Sequence, residues 1–156
     1  MTDALREVLG AEGRTMIISH SLGTVVSYDC LWTLSWDEDV IPLGVGKVDT
    51  WVTLGSPLAD EVMKKQVFGA DENGSRRYPS NVNTWFNIAA KHDYIAVDSG
   101  VRNDYRGIID YHGTTISDKD IYNLARRDGE SHPHSSLGYL IHPTFSKVLH
   151  DWLVAS

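Results

Sequence analysis

Cysteine is nearly absent: Cys30 stands alone in a chain of 156 residues, so no disulfide can form within one chain, and its place on a helical pattern marks it as a small core residue. Positive charge is also scarce. Lys and Arg number 14 against 21 Asp and Glu, and the net charge of −7 argues against nucleic acid or an anionic membrane surface as the main partner. No apolar run approaches the ~18 residues of a membrane-spanning helix and no signal-peptide pattern opens the chain, so a cytoplasmic location is the default expectation. Repeats and low-complexity tracts are missing. So is a phosphate cradle, because Gly44-x-Gly46 lacks a third glycine and precedes a strand pattern. His132-x-His134 is the only close histidine pair and has no carboxylate cluster beside it, so neither a metal nor another cofactor is expected. What remains, 42% hydrophobic and 22% charged residues, is the composition of a soluble globular chain, read as one domain over 1–156.

The stretch from Arg14 to Asp29, RTMIISHSLGTVVSYD, organises this chain. Thr15 to Ile18 is a short apolar β run suited to a buried parallel strand. After Ser19-His20-Ser21-Leu22-Gly23 a helical pattern follows, with Leu22, Val25, Val26 and Cys30 predicted on its inner stripe and an end near Trp36. A strand, a tight turn and a helix with serine at the tip is a setting that presents a nucleophile. Close packing of the turn demands small residues two before and two after the serine, here Ser19 and Gly23. The helix start places unpaired N–H groups beside Ser21, so the N–H of Leu22 is the expected oxyanion donor.

Elsewhere, Thr2 to Leu9 reads as a helix that Thr2 can cap, with Leu5, Val8 and Leu9 as its stripe. Asp37-Glu38-Asp39 and Pro42 to Gly46 break the pattern before a second strand, Val48 to Leu54. Asp60 to Phe68 suggests a short helix and Gly69 to Asn81 a surface loop. Asn83 to Ala89 is a third strand, Ile108 to Tyr111 a weaker fourth, and Asp118 to Arg127 a predicted helix with Ile121, Leu124 and Ala125 inward. A last helix starts near Pro143, with Phe145, Val148, Leu149, Trp152 and Leu153 at amphipathic spacing. Strands alternating with helices predict an α/β fold, a mostly parallel sheet of about four strands flanked by helices.

The segment S-H-S-L-G resembles the nucleophile elbow, G-x-S-x-G, of the α/β-hydrolase-fold serine hydrolases of lipase and esterase type. Ser19 replaces the first glycine and is read as a small, tolerated variant. The resemblance implies a Ser-His-Asp triad in the order serine, acid, histidine. Functional groups in such sheets gather at the carboxyl ends of the strands. The strand 83–89 empties into Asp93, which matches the family's acid position, with Asp98 as the closest rival and Asp60 third. For the base, His20 sits on the elbow, where its side chain should point away from the hydroxyl, and His92 lies too close to the acid. His112, His142 and His150 lie in or beside other elements. His134, in a loop before a helix pattern, is preferred, with His132 the alternative; H-S-S-L-G-Y-L is similar to the histidine passage of lipase-like hydrolases.

The resemblance covers only the C-terminal half of the usual fold, and two consequences follow. Strand 15–18 would present an unpaired apolar edge, which a homodimer through that edge would cover, or, in a natural or engineered C-terminal piece, rebuilt pairing. The family's second oxyanion donor is also missing, at a cost of about 3 kcal/mol in the barrier. The expected activity is a serine esterase acting on short- to medium-chain carboxylic esters through an acyl-enzyme, with Ser21 as nucleophile, His134 as base and Asp93 orienting it. The alternatives are a catalytically weak remnant serving as an interaction module, and a peptidase, thioesterase or acyltransferase built on the same triad. Trp32, Trp36, Trp51 and Trp85 are read chiefly as core.

Overall fold

The computed structural model describes residues 1–11, 13–36, 46–96 and 98–155. Four strands, β1 (Met16–His20), β2 (Val48–Leu54), β3 (Val82–Ala90) and β4 (Thr115–Ile121), form one parallel sheet in the order β1-β2-β3-β4. Parallel neighbours need crossovers: α2 (Gly23–Trp36) follows β1, α3 (Val101–Asp104) and α4 (Arg106–His112) join β3 to β4, and the β2–β3 connection holds only the 3₁₀ turns Met63–Lys65 and Gly74–Arg77. Helix α1 (Thr2–Gly10) precedes the sheet. A two-stranded hairpin, β5 (Arg126–Arg127) and β6 (Glu130–Ser131), and helices α5 (Ser136–Leu140) and α6 (Pro143–Val154) follow it. The predicted break, Asp37-Glu38-Asp39 and Pro42 to Gly46, lies outside the described residues except for Gly46.

Each face of the sheet buries its own cluster, so β2 and β3 carry apolar residues on both faces. One face packs Ile17, Trp51, Val82, Trp85 and Ile116 against Leu9, Tyr28, Leu31, Leu34, Val101 and Ile108 of α1 to α4. The other packs Val52, Leu54, Ile88 and Ile121 against Tyr139 of α5 and Phe145 and Val148 of α6. Trp51 and Trp85, opposite one another in register, stack with ring centroids 4.5 Å apart. Their indole N–H groups stay satisfied, donating to Ser19 Oγ at 3.1 Å and Thr53 Oγ1 at 2.9 Å.

Several sequence expectations need correction. Ile108 to Tyr111 is helical, inside α4, where Ile108 is buried and Gly113 (φ 72) closes the helix in the left-handed region. A run as short as these four residues does not distinguish strand from helix. The fourth strand is β4 instead, so the helix predicted from Asp118 to Arg127 does not form. Asp118 pairs with Asn87 in the ladder, and its carboxylate accepts N–H bonds from Val101 and Arg102 at the start of α3. A mostly polar edge strand carries little apolar signature, and the spacing of Ile121, Leu124 and Ala125 suits a helix equally well. Leu124, expected inward, is exposed.

On α2 the buried face is Thr24, Ser27, Tyr28, Cys30, Leu31 and Leu34, while Leu22 and Val26 are exposed. The hydroxyls of Thr24 and Ser27 are needed against the sheet, as described below, and they rotate the helix away from its most apolar stripe. Thr2 does not cap α1; its hydroxyl donates to Cys30 Sγ, and Val8 is exposed. Between Asp60 and Phe68 only a 3₁₀ turn forms, Met63–Lys65, with Asp60 accepting from Val62 and Met63 N–H. In α6 the predicted stripe narrows to Phe145 and Val148, with Leu149 partly buried and Leu153 exposed. Trp51 and Trp85 are fully buried, whereas Trp32 and Trp36 are only partly so.

Trp51→Ala, which empties the centre of the stacked pair, is expected to lower unfolding free energy by about 3–5 kcal/mol. Urea unfolding with the native chain alongside checks it, and a loss below about 1 kcal/mol contradicts a tightly packed site.

Candidate active site

β1, β3 and β4 end on the same side of the sheet because all strands are parallel; Ser21 follows β1 and Asp93 follows β3 there, and His134 arrives in the loop between the β5–β6 hairpin and α5. From β1 the ladder runs one residue into the turn, Ser21 N–H donating to Leu54 O at 3.0 Å. The chain then reverses at Ser21, whose φ of 55° lies in the left-handed region that non-glycine residues seldom occupy. That strain persists because the turn is held from several sides. Ser21 O accepts from Thr24 N–H at 3.0 Å and from Thr24 Oγ1 at 2.7 Å, and Thr24 Oγ1 also meets Ser56 Oγ at 2.8 Å. Ser19 is more than a small residue. Its buried Oγ receives bonds from Ser27 Oγ and Trp51 Nε1, both at 3.1 Å, and so ties the turn to α2 and to the tryptophan pair.

After β3, Lys91 N–H continues the ladder to Ile121 O, and a turn through His92 (φ 68°) returns Asp93 N–H to Ala90 O. The Asp93 carboxylate is shielded completely from solvent. Its Oδ1 accepts N–H bonds from Ile95 and Ala96, and its Oδ2 accepts the Tyr139 hydroxyl at 2.6 Å. Burial alone would push this carboxyl up, but the bonds from Tyr139, His134 and Ile95 outweigh it and hold Asp93 below its ordinary value, ionised. Tyr139 in turn accepts Ala90 N–H at 2.8 Å, and burial followed by the Asp93 bond raises its phenol well above the usual range.

His134 closes the arrangement. Its Nδ1 lies 2.9 Å from both Asp93 oxygens and its Nε2 lies 2.8 Å from Ser21 Oγ. An ionised carboxylate only accepts, so Nδ1 carries the proton and Nε2 is free to accept the serine hydroxyl. The side chain is 12% exposed, open enough for a reacting group to reach it. Ser21, His134 and Asp93 therefore form a continuous hydrogen-bonded chain from a strained hydroxyl to a buried anion, the relation in which a base activates a serine and an acid fixes the base. Leu22 stands directly before α2, where helix-start N–H groups lack intrahelical partners.

The rival candidates lie elsewhere. Asp98 is exposed and accepts Gly100 N–H, Asp60 caps its 3₁₀ turn, and His132 bonds neither Ser21 nor Asp93. His112 bonds Ser75 O, His142 caps α6 by accepting Thr144 N–H, and His150 lies beside Asp151. His20 turns toward the base and not toward the serine: its Nε2–H donates to His134 O at 3.0 Å and the two rings sit 4.6 Å apart. Burial, reinforced by nearby His134, holds His20 below its ordinary value and hence neutral.

Tyr139 and Gly55 escaped the sequence reading. Gly55 has φ 55°, and a Cβ there would fall 2.8 Å from Asp93 Oδ2 and 3.0 Å from the Tyr139 ring. The Gly-Ser-Pro turn ending β2 was a signal for such a close approach; for Tyr139 no local signal existed. Comparison of the chain with protein-family models, curated proteins and solved structures gave no match.

Tyr139→Phe removes one bond to Asp93 and leaves Ala90 N–H unpaired, so a loss of about 1–3 kcal/mol is expected at neutral pH. The sign follows from Asp93. A carboxyl held low in the fold stabilises it above the unfolded value of about 4, and that contribution disappears as pH falls through the folded value. The gap between native and variant chains in thermal unfolding should accordingly narrow below about pH 4; a gap independent of pH would contradict the assignment.

Proposed function

We propose that this chain is a serine hydrolase, with Ser21 as nucleophile, His134 as general base and acid, and Asp93 as the residue that orients and stabilises His134. Within that class, the reading is an esterase for short- to medium-chain carboxylic esters. The observation that carries it is the unbroken Ser21–His134–Asp93 hydrogen-bond chain set on a strained serine. The resemblance of Ser19 to Gly23 to a nucleophile elbow agrees with it. Ser21 Oγ attacks the ester carbonyl as His134 Nε2 takes its proton, and the tetrahedral oxyanion forms against the N–H of Leu22. Collapse expels the alcohol, protonated by His134, and leaves an acyl-enzyme. Water, deprotonated by the same base, then releases the acid and restores Ser21. Exposed apolar groups beside these atoms include Leu22, next to the nucleophile, and Tyr94, whose ring lies 5.4 Å from that of His134. They suit an alkyl or acyl chain better than a charged one.

Hydrolysis of p-nitrophenyl acetate and butyrate tests the reading. Turnover should vanish in Ser21→Ala and fall about 10⁴-fold in Asp93→Asn, while Asp98→Asn stays near the native rate. Equal, background rates in the native chain and Ser21→Ala would overturn it.

A second reading, in which the chain is an interaction module, rests on β1, whose outer side pairs with no strand among the described residues. Ser21 N–H and Thr15 O both face β2, so by alternation the backbone groups of Met16, Ile18 and His20 face outward from the sheet. Met16 to Ser19 carries no charge to guard this edge, and Ile18 is 43% exposed. The occupant proposed is a second copy of the chain pairing along β1. Sedimentation equilibrium at micromolar concentration should then give a dimer that Ile18→Lys dissociates; a native monomer would refute it.

A further inference from the structure

A catalytic histidine on a loop must be held where its ring can face two partners at once, and loop backbone is ordinarily the softest part of a fold. Around His134 it is pinned on every side by side chains. Asn123, two residues beyond β4 and only 6% exposed, donates through Nδ2 to Pro133 O and to Ser135 O, each at 2.9 Å. The carbonyl between them, His134 O, accepts from His20 Nε2. The amide of Asn123 is itself fixed, because its Oδ1 accepts Ala125 N–H at 3.0 Å. Gly138 in α5 makes room for it: a Cβ at Gly138 would fall 1.8 Å from Asn123 Oδ1 and 2.8 Å from its Nδ2.

We infer that Asn123 is a positioning residue for the candidate base, its single amide gripping the carbonyls on both sides of His134 and so setting the ring between Ser21 and Asp93. The inference rests on the Ser-His-Asp reading. Asn is suited to the task because one NH₂ group offers two donors in a fixed plane, matching two carbonyls two residues apart. Aspartate, of the same shape, would keep the bond to Ala125 and turn an acceptor against both carbonyls. Gly138 belongs to the same device: a side chain there would drive the amide off the loop while leaving Asn123 chemically intact.

Three variants and two measurements test this. Asn123→Asp and Gly138→Ala are each expected to lower kcat/KM for p-nitrophenyl butyrate about 10²-fold, through kcat with KM little changed. In an Asn123→Ala background, Gly138→Ala should cost nothing further, since its effect runs through the amide. The second measurement needs no activity. The ring ¹⁵N pattern of His134 at about pH 8, where an ordinary histidine is neutral, distinguishes the Nδ1–H tautomer from the Nε2–H tautomer. The native chain should show Nδ1–H alone, and Asn123→Asp and Gly138→Ala a mixture of both, with circular dichroism unchanged. Native-like ¹⁵N patterns in both variants would overturn the inference, as would an additive Gly138→Ala effect. A native chain without esterase turnover, whose variants still lose the single tautomer, would sink the esterase reading and uphold the clamp.

Discussion

Asp93 sets the terms for the rest of this end of the molecule. A carboxylate removed from water survives as an anion only if hydrogen bonds replace its hydration, and Asp93 gathers them from Ile95, Ala96, His134 and Tyr139. Each donor constrains a different piece of chain. The turn after β3 must fold back on itself, α5 must start soon enough after His134 to bring Tyr139 under the carboxylate, and β2 must end in a residue without a side chain at Gly55. The imidazole is thus one of several groups that the buried charge organises, and the serine receives that influence through it.

The sheet makes such convergence possible. Parallel strands in register bring the ends of β1, β3 and β4 to one side, and the ladder extends past the formal ends of β1 and β3 through Ser21 and Lys91. Beneath this rim, the hydroxyl of Ser19 links the serine turn to the indole of Trp51 and thence to Trp85. The rigid interior and the strained turn are therefore one packed unit, which is how an uncommon backbone conformation is kept in place.

How much of this was legible in the residues varied with the range of the interactions. β1, β2 and β3 announce themselves because each carries apolar residues on both faces, whereas β4, mostly polar, does not. The Ile108 run was too short to separate helix from strand. The orientation of α2 was misjudged because Thr24 and Ser27, poor core residues by composition, are drawn inward by hydroxyl partners on other elements. Ser21 stands out by its strand-turn-helix setting, and Asp93 and His134 by strand-end and loop position together with the chain order that the hydrolase resemblance implies. Tyr139 and Asn123 do not, since their roles come from contacts 46 and 10 or more residues away with no trace in the neighbouring sequence, and Gly55 does not, although the Gly-Ser-Pro turn pointed to a close approach.

The left-handed backbone at Ser21 also says something about what this sequence has been shaped for. Glycine adopts that conformation without the Cβ penalty, about 1–2 kcal/mol for other residues. Thermodynamic stability alone would therefore favour glycine at the tip of this turn. A hydroxyl-bearing residue occupies the position against that gradient, in a domain whose total margin is of the order of 5–15 kcal/mol. In the energetics of this fold, position 21 is a standing deficit that packing elsewhere must cover, and sequences relaxed from whatever demand maintains it should drift toward glycine there before they lose the sheet.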